Sequence, residues 1–549
     1  MFRGSARIIL SCLFVLGSQT ENAQDNVGED STVVYPANYF NEWTPVTAQD
    51  MLDRIPGLSG GGSSYSGVAG ASRSYRSGGG RGFGGGSRGT EILINGKRTA
   101  GKNNSTGGQL TRITSDQVDY IEIIRGTSGE LDVRGSGQVI NVVLYDTFAD
   151  RSIQYELSAQ QSDNNTVTPS GSLSFSGQTG ALDYQIEARS GEVYSRNITK
   201  ENSVLGDFSS NDRIREIRQT DGDNSTISAN AGYEISPSSS ARFNAQFTEG
   251  SGESDTVRRT TDLKVSPNVD FFQREDNPSS IENWEIGADY EYVTDRGDRF
   301  KVLAISNAFT QARTRERWNL TGPQSEEKNL FLDSGSTTRE RIIRGSYTFD
   351  MFGGSQDIEL GAERAQTILD SKLALGIGGI PGTPSSDFGG LVPVSISNSN
   401  SSVEEMRYEP FIIHNWIFSP RMSLETSVLY EDSEITQRGD VSKSREFDFV
   451  KPKADFRYDL TPQIQLRGTI EKIVEQLTFN DFVAATDNRD EDSNVQLGNE
   501  NLRQEWYWNY EFNAEYRLPN DIGVVSSCLL YTSDAADDTP CVDLGGRRI

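Results

Sequence analysis

Side chains that commonly carry out catalysis are scarce in this chain. Its 549 residues include one histidine, His414, and three cysteines, Cys12, Cys528 and Cys541. Zinc hydrolases and Ser-His-Asp triads both depend on imidazole groups held in fixed geometry, so one histidine argues against both classes. Three widely spaced cysteines provide neither a disulfide framework nor a cysteine metal site. The sequence therefore predicts a protein that is not an enzyme and that has no resident metal or cofactor.

Three segments imitate ligand-binding motifs, and each departs from the pattern that the chemistry requires. Gly96–Asn103 nearly spells a phosphate-binding loop, but Asn103 replaces the Ser or Thr that would hold magnesium. Gly80–Gly85 has the spacing of a dinucleotide fingerprint because it is mostly glycine, and no strand precedes it. Asp490–Asn494 has calcium-loop spacing, but Val495 stands where a glycine is needed. None of the three predicts a cofactor site.

The charge of the chain argues against a nucleic-acid partner. Lys and Arg total 52 and Asp and Glu total 79, which gives a formal net charge of −27. Residues 148–549 hold 39 of the basic and 65 of the acidic side chains, so most of the negative charge lies there. Ser72–Arg88 is the exception, with four arginines and no acid. An RNA-binding tail is the alternative interpretation of that segment, but an acidic exported chain disfavours it.

The first 23 residues have the pattern of an export signal. Arg3 and Arg7 form a short positive region, Ile8–Gly17 is mostly apolar, and Ala23 is a possible cleavage point. The apolar run is ten residues long, well short of the about 20 that a membrane-spanning helix needs. The sequence thus predicts an exported protein without a helical membrane span.

After Asp150 the chain changes to sustained alternation of apolar and polar residues. In Ser152–Gln160 and Ala181–Arg189 every second residue is apolar. The same pattern recurs in Ile227–Ile235, Ala241–Phe247, Trp284–Tyr292, Met422–Tyr430 and Trp506–Leu518. Alternation over about 9–11 residues is typical of strands that cross an outer membrane. About fifteen to eighteen such strands can be recognised, fewer than the about 22 of large plugged barrels.

The alternation also assigns faces to individual side chains. We expect one set to face lipid, namely Ile153, Tyr155, Leu157, Leu182, Tyr184 and Ile186. The intervening Glu156, Gln185 and Glu187 should then face the lumen. Short linkers such as Ser176–Gly180 and long ones such as Arg258–Ser280 match the unequal ends of these barrels. A soluble β-sandwich is the alternative, but charged side chains along the polar faces favour a water-filled lumen.

The region before Asp150 mixes helix and strand signals. Thr47–Ile55 predicts a short helix with Thr47 as its cap, and Pro56-Gly57 ends it. Ile92–Ile94 and Tyr120–Ile124 predict strands, the first followed by a turn at Asn95-Gly96. The intervening Ser59–Gly89 is so rich in glycine and serine that it predicts a loop.

Residues 33–147 resemble the plug domain of TonB-dependent outer-membrane receptors. The matching segments, in the order and spacing of the family, are Thr44–Gly57 (TPVTAQDMLDRIPG), Arg81–Gly84 (RGFG), Ile92–Arg98 (ILINGKR), Val118–Gly126 (VDYIEIIRG) and Arg134–Leu144 (RGSGQVINVVL). Lys451–Leu502 resembles the later barrel of the family. The resemblance implies a transmembrane antiparallel β-barrel, incomplete here against about 22 strands, with a small α+β plug domain in its lumen.

The resemblance also implies a function and partners. These are energy-coupled uptake of a scarce solute, such as an iron-siderophore or similar chelate or an oligosaccharide, across the bacterial outer membrane. The partners would be the TonB energy-transducing complex, outer-membrane lipid and the small solute, with no nucleic acid. A non-transporting surface β-protein, such as an adhesin or binding receptor, is the alternative.

Specific residues are assigned through this resemblance. The structural plug motif comprises Arg54, Pro56, Gly57, Asn95, Gly96, Arg125, Gly126, Arg134, Gly135 and Asn141. A ligand-facing plug loop is expected at Arg73, Tyr75, Arg76, Arg81, Phe83 and Arg88. A TonB contact is expected at Thr32, Val33 and Val34, although Val33–Tyr35 equally fits the first strand of the plug. Charged plug residues such as Glu122 are expected to pair with lumen charges or to hold the plug in place.

These predictions divide the chain into four parts. They are a signal peptide (1–23), a plug domain (24–147), a partial transmembrane barrel (148–525) and a non-native tail (526–549). The tail resembles a translated sequencing adapter, which predicts a receptor truncated near Val525. We expect the chain from Ser526 onward to be irregular and to offer no lipid-facing stripe. The first and last strands should then pair poorly or leave a gap.

Overall fold

The computed structural model describes the chain from residue 32 to residue 534, with gaps. The described residues are 32–55, 90–97, 101–102, 110, 113–124, 138–145, 151–322, 325–461, 463–486, 495–496, 498–499, 501–518 and 524–534. The predicted signal peptide and most of the Ser59–Gly89 loop therefore lie outside them. In the described part, short 3₁₀ turns and one α-helix accompany strands, as the alternation predicts.

The N-terminal domain is a small mixed sheet with a short helix. Its elements are β1 (Thr32–Pro36), a 3₁₀ helix (Ala37–Trp43), α1 (Ala48–Leu52), β2 (Thr90–Ile94), a 3₁₀ turn (Ser115–Gln117), β3 (Val118–Ile124) and β4 (Gln138–Leu144). The strands lie in the order β1-β3-β4-β2. Only the β2–β4 pair is parallel among these neighbours. This is the α+β domain that the sequence predicts.

Thr47 caps α1 as predicted. Its side chain accepts a hydrogen bond from the Asp50 amide at 3.2 Å, and the Asp50 carboxylate accepts one from the Thr47 amide at 3.0 Å. This reciprocal capping satisfies amides that a helix start would otherwise leave without partners. Met51 and Ile55 then pack into a core with residues of the sheet, including Ile121. Burial of this one apolar face fixes the helix on the sheet.

A much larger antiparallel sheet follows. Its strands and the short strands beside them are β5 (Arg151–Gln161), β6 (Val167–Thr179), β7 (Leu182–Val204), β8 (Ser210–Ser236), β9 (Ser239–Asp262), β10 (Val269–Val293), β11 (Arg299–Gly322), β12 (Ser325–Met351), β13 (Gln356–Ile377), β14 (Val392–Val394), β15 (Asn400–Ser419), β16 (Met422–Gly439), β17 (Lys443–Thr461), β18 (Ile464–Val474), β19 (Ala485–Thr486), β20 (Val495–Gln496), β21 (Trp506–Arg517) and β22 (Val524–Asp534). Three 3₁₀ turns accompany them, at Phe352–Gly354, Ser386–Phe388 and Phe479–Phe482.

The large sheet has the connectivity of an up-and-down barrel. Among the described residues it holds sixteen strands, which agrees with the fifteen to eighteen predicted. Each strand pairs with the next along the chain, apart from β14, which pairs only with β13, and the separate β19–β20 pair. The sheet ends at β5 and β22, and no pairing joins these two strands in the described part of the chain. The structure therefore confirms a large plugged sheet and the predicted gap.

Strands β7 to β13 are longer than a membrane crossing requires. Most of them have 22–27 residues, against about 9–11 for a tilted crossing strand. The prediction of a long loop at Arg258–Ser280 is consequently wrong: β9 runs to Asp262 and β10 begins at Val269. Beyond the lipid-facing stripe, the polar sequence of these strands resembles that of a loop. Cross-strand pairing nevertheless keeps this part of the chain extended.

The sheet has two chemically different faces. We call the face that contacts the N-terminal domain the inner face and the opposite one the outer face. On the outer face, Ile186 is 49% exposed and Leu157 is 82% exposed, whereas the inner Glu187 side chain is 12% exposed. The strand register places all nine predicted lipid-facing and lumen-facing residues on their expected sides. Glu156 remains exposed because it lies on the end strand β5.

Aromatic side chains concentrate on the outer face near the short turns. Tyr233, Tyr292, Phe300, Trp416 and Tyr516 lie close to strand ends and are each about two-fifths to one-half exposed. Such a girdle is typical of the interface between lipid and water in transmembrane barrels. The outer face therefore has the pattern of a lipid-facing surface.

The C-terminal prediction is wrong for residues 526–534. These residues belong to β22, which pairs with β21 from Tyr507↔Asp534 to Arg517↔Val524. Val525, Leu529 and Tyr531 lie on the outer face and are exposed. These three residues form an apolar stripe on the outer face, which the sequence analysis did not predict. Residues 535–549 lie outside the described part of the chain.

Candidate functional site

The contact between the N-terminal domain and the inner face begins at the Asn95-Gly96 turn. Both residues have positive φ, +50° and +73°, as the tight turn after β2 demands. The Gly96 amide donates to Asn141 Oδ1 at 2.7 Å, and the Leu144 amide donates to Asn95 Oδ1 at 2.8 Å. The structure thus brings together three predicted plug-motif residues, Asn95, Gly96 and Asn141.

Asn141 also ties this turn to the neighbouring strand. It is 4% exposed, and its Nδ2 donates to Glu122 Oε1 at 2.6 Å. The hydrogen bond described for Glu122 therefore lies within the domain. This is compatible with the expectation that such charges hold the plug in place. A buried amide with both ends bonded favours a single arrangement of turn and sheet, since an unmade bond there is costly.

The structure describes only some of the other predicted site residues. Arg54 lies exposed beside the end of α1. Thr32, Val33 and Val34 form β1, an edge strand paired with β3 through Thr32↔Ile124 and Val34↔Glu122. The remaining ones lie outside the described residues: Pro56, Gly57, Arg73, Tyr75, Arg76, Arg81, Phe83, Arg88, Arg125, Gly126, Arg134 and Gly135. The Asp490–Asn494 segment does so as well.

Two lysines that follow the turn reach acids of the inner face. Lys97 Nζ lies 3.0 Å from Glu234 Oε1 and 3.3 Å from Ser240 Oγ. Lys102 Nζ lies 2.6 Å from Glu340 Oε2, and the Lys102 amide donates to both oxygens of Glu285 at 3.0 and 3.1 Å. These contacts seat the domain on the polar face of the sheet.

The two lysine contacts differ in burial and therefore in strength. Glu285 is 0% and Glu340 is 3% exposed, whereas the Glu234 side chain is 56% exposed. Charged hydrogen bonds gain strength as water is removed, and exposed ion pairs contribute little. In sequence both lysines belong to the imperfect phosphate-binding motif, and Lys97 also belongs to the plug segment Ile92–Arg98, but neither position predicts a contact with the sheet. The signal that could have identified these contacts is the position of Lys97 and Lys102 in a small domain that precedes strands rich in acidic residues.

The inner face itself is strongly acidic. Among the described residues, thirteen carboxylate side chains are buried against four basic ones, and the register places all of them on this face. Several are paired: Arg258 with Glu216, Arg315 with Glu275, and Arg407 with Glu363. Burial alone would raise the pKa of Glu275, but two hydrogen bonds from Arg315 hold that pKa below its usual range. The Glu275 carboxylate is thus kept ionised inside the protein.

The one histidine of the chain lies away from the contacts of the N-terminal domain. His414 lies on the outer face, where its Nε2 is 3.0 Å from Gln356 Oε1 and its ring stacks near Trp416. Within the described ranges, no group of three His, Cys, Asp or Glu side chains is arranged to hold a metal ion. Helices in those ranges are all too short or too polar to cross a bilayer.

Replacing Lys102 by Met should destabilise the seating of the domain on the inner face by about 1.5–3 kcal/mol, because the buried Glu340 carboxylate loses a charged donor. The backbone amide of residue 102 can still donate to Glu285. Lys97→Met is the matched control and should cost less than about 1 kcal/mol. A double-mutant cycle with Glu340→Gln, followed by urea unfolding of the domain, measures the coupling. Equal losses for the two lysines would contradict the assignment.

A small α+β domain seated on the polar face of a large antiparallel sheet, whose other face is apolar and exposed, defines the plug-and-barrel class of membrane proteins. Residues 27–139 match the TonB-dependent Receptor Plug Domain family. This match covers the small N-terminal domain, which is thus similar to the plug domain of TonB-dependent receptors, and the large antiparallel sheet that follows has the connectivity of a barrel.

This chain is similar to several solved structures, among them the following three. The ferripyoverdine receptor of the outer membrane of Pseudomonas aeruginosa, bound to ferripyoverdine, is 13% identical, with a TM-score of 0.45 over 80% of this chain and 56% of that chain. The alcaligin outer-membrane receptor of Bordetella pertussis is 11% identical, with a TM-score of 0.42 over 91% and 70%. The copper transporter OprC is 11% identical, with a TM-score of 0.46 over 89% and 70%.

The chain thus spans little more than half the length of the ferripyoverdine receptor that it matches. No curated protein sequence matches it.

Proposed function

We propose that this protein is an energy-coupled receptor that carries a scarce solute across the bacterial outer membrane. The solute would be an iron-siderophore or similar chelate, or an oligosaccharide. The observation that supports the proposal most directly is the plug domain held by Lys97 and Lys102 against the acidic inner face. The contacts that these two lysines make are polar, and polar contacts can be exchanged when a domain shifts without unfolding the sheet. A cleaved signal peptide at 1–23 would direct the export.

Energy coupling would act through β1. This strand is an edge of the plug sheet, and Val34 is 52% exposed. An exposed strand edge offers main-chain donors and acceptors that a partner strand can pair with, largely independently of sequence. We therefore assign the TonB contact to Thr32, Val33 and Val34. The arginine-rich segment with Arg73, Tyr75, Arg76, Arg81, Phe83 and Arg88 is assigned to the solute-facing side.

Uptake tests the proposal as a whole. Cells that depend on this protein are grown under iron limitation with defined ferric chelates, and under carbon limitation with oligosaccharides. Uptake of one solute should require the protein, TonB and the proton gradient together. Binding that persists without uptake in cells that contain TonB would instead favour a non-transporting surface β-protein.

The TonB contact has its own prediction. Successive amides of a strand point to opposite edges, so one of Val33 and Val34 directs its N–H toward β3 and the other toward the free edge. Val33→Pro and Val34→Pro are therefore a matched pair. One variant should lose binding to the periplasmic domain of TonB while the plug stays folded, and the other should disturb the plug sheet. Unchanged TonB binding in both variants would rule out this contact.

A further inference from the structure

The inner face carries an apolar patch near one end of four strands, separate from a second buried apolar cluster on the same face that comprises Leu303, Ile305, Ile342 and Ala365. Its residues are contributed by β12, β13, β15 and β16, and each is at most 6% exposed: Leu330, Leu332, Leu369, Leu373, Leu375, Val403 and Ile435. Register places all seven on the same face as the acidic side chains described above. The patch lies toward the ends of β12 and β13 that are remote from the Phe352–Gly354 turn. A water-filled lumen does not call for such residues.

A segment of the connection between β18 and β21 covers the patch. This cover segment, Leu477–Ala484, contains the 3₁₀ turn Phe479–Phe482. Phe479, Phe482 and Val483 pack in one cluster with Leu369, Val403 and Ile435. Ala484 packs in a second cluster with the four leucines Leu330, Leu332, Leu373 and Leu375. The two rings stand edge to face, with centroids 6.4 Å apart.

The cover segment is an irregular part of the chain, whereas the strands beneath it are paired continuously. Gln437 Nε2 donates to the Phe482 carbonyl at 3.1 Å, and the Ala484 amide donates to the Asn398 carbonyl at 3.1 Å. The Asn499 amide donates to the Asp481 carbonyl at 2.8 Å, and this bond joins two parts of the same connection. By contrast, β13 and β15 pair continuously from Gln356↔Trp416 to Lys372↔Asn400. Irregular connecting segments open at a lower free-energy cost than continuously paired strands.

The rim of the patch is polar and positively charged near the rings. The Arg445 guanidinium carbon lies 5.3 Å from the Phe482 ring centroid and 5.3 Å from that of Phe447. The Lys443 Nζ lies 2.5 Å from Asn501 Oδ1 on the returning part of the connection. A ligand that replaces the two phenylalanine rings would contact an apolar surface, a cation at its edge and hydrogen-bonding groups around it.

We propose that this patch is a binding subsite for an aromatic ring carried by the transported solute, and that the cover segment is its built-in competitor. The inference rests on the proposed function for the identity of the ligand. The two phenylalanine rings seated on the patch indicate what fits there. When the segment is displaced, a solute ring takes the apolar surface that the phenylalanines leave. The patch thereby selects solutes with an aromatic group over purely polar ones.

Cysteine labelling tests the subsite directly. In a chain whose native cysteines are replaced by serine, Val403→Cys places a thiol in the patch, and Leu373→Cys is a second site should the first variant not fold. Ser336→Cys, on the polar inner face of β12, is the matched control. Purified protein in lipid nanodiscs is treated with N-phenylmaleimide or with N-(2-hydroxyethyl)maleimide. Each cysteine is measured with the native cover and with Phe479→Ser/Phe482→Ser.

Removing the rings should accelerate the phenyl reagent at residue 403 about tenfold or more beyond the hydroxyethyl reagent, because the phenyl ring binds the patch before it reacts. At residue 336 the ratio of the two rates should stay unchanged. Equal acceleration of both reagents at residue 403 would overturn the proposal, since the patch would then be only a covered wall. The measurement requires neither TonB nor a gradient, so loss of coupled uptake with preserved ring selectivity would count against the proposed function alone.

Discussion

Replacing Arg407 by Leu is expected to destabilise the large sheet by about 3–5 kcal/mol, which is the usual cost of leaving a buried charge without its partner. The Arg407 side chain is 1% exposed and that of Glu363 is 0% exposed, and their N–O distance is 2.9 Å. A second cation, Arg344, lies 3.7 Å from Glu363. Arg407→Leu would therefore remove the shorter of the two described ion pairs of this buried carboxylate. Urea unfolding in lipid vesicles, followed by tryptophan fluorescence, measures the loss.

Arg407→Lys is the matched control for this prediction. This substitution keeps the positive charge but replaces the planar guanidinium by an ammonium group, so it should retain most of the stability that Arg407→Leu loses. Arg344→Leu should cost less than Arg407→Leu, because the Arg344 side chain is 18% exposed and its contact with Glu363 is longer. A loss in Arg407→Leu no greater than in Arg407→Lys would show that the buried pair contributes packing instead of charge.

The second large effect is expected on the outer face. Ile186 lies at the middle of the apolar stripe that runs from Leu182 to Ser190 on β7. Ile186→Arg should cost about 2–4 kcal/mol, the cost of a cation on the lipid face of a barrel near the bilayer midplane. Gln185→Arg, one residue earlier and on the inner face, should cost much less. Both variants are compared by urea midpoint in vesicles. Similar losses for the two would contradict the assignment of faces, and a larger loss for Gln185→Arg would show that the faces are reversed.

The faces of the strands were predictable because their cause is local. Successive side chains of a strand point to opposite sides, so Ile186 and Glu187 are separated by backbone geometry alone. The Thr47 cap and the Asn95-Gly96 turn follow from equally local chemistry, since each depends on residues within a few positions. β22 shows the limit of such reading: an unusual composition concealed the alternation of Val525, Leu529 and Tyr531.

The candidate site was predictable only in part. Asn95, Gly96 and Asn141 were identified through their motif, and the structure joins them by hydrogen bonds. Lys102 was not identified, because its partner Glu340 lies 238 residues away in sequence. No local pattern can select one acid among the 79 of this chain. The choice depends on where the plug sits along the inner face, which strand register determines.

By itself, then, the sequence determined a chain of alternating strands, the two faces of those strands and a small mixed domain before them. Propensity, pleat and turn chemistry act within a few residues, which is why these features can be read without a structure. The tertiary structure alone decided which inner-face acids meet Lys97 and Lys102, which arginine is buried among carboxylates, and that Phe479 and Phe482 lie on an apolar patch. These contacts join residues far apart in the chain, and strand register and the folding of connections against the sheet bring them together.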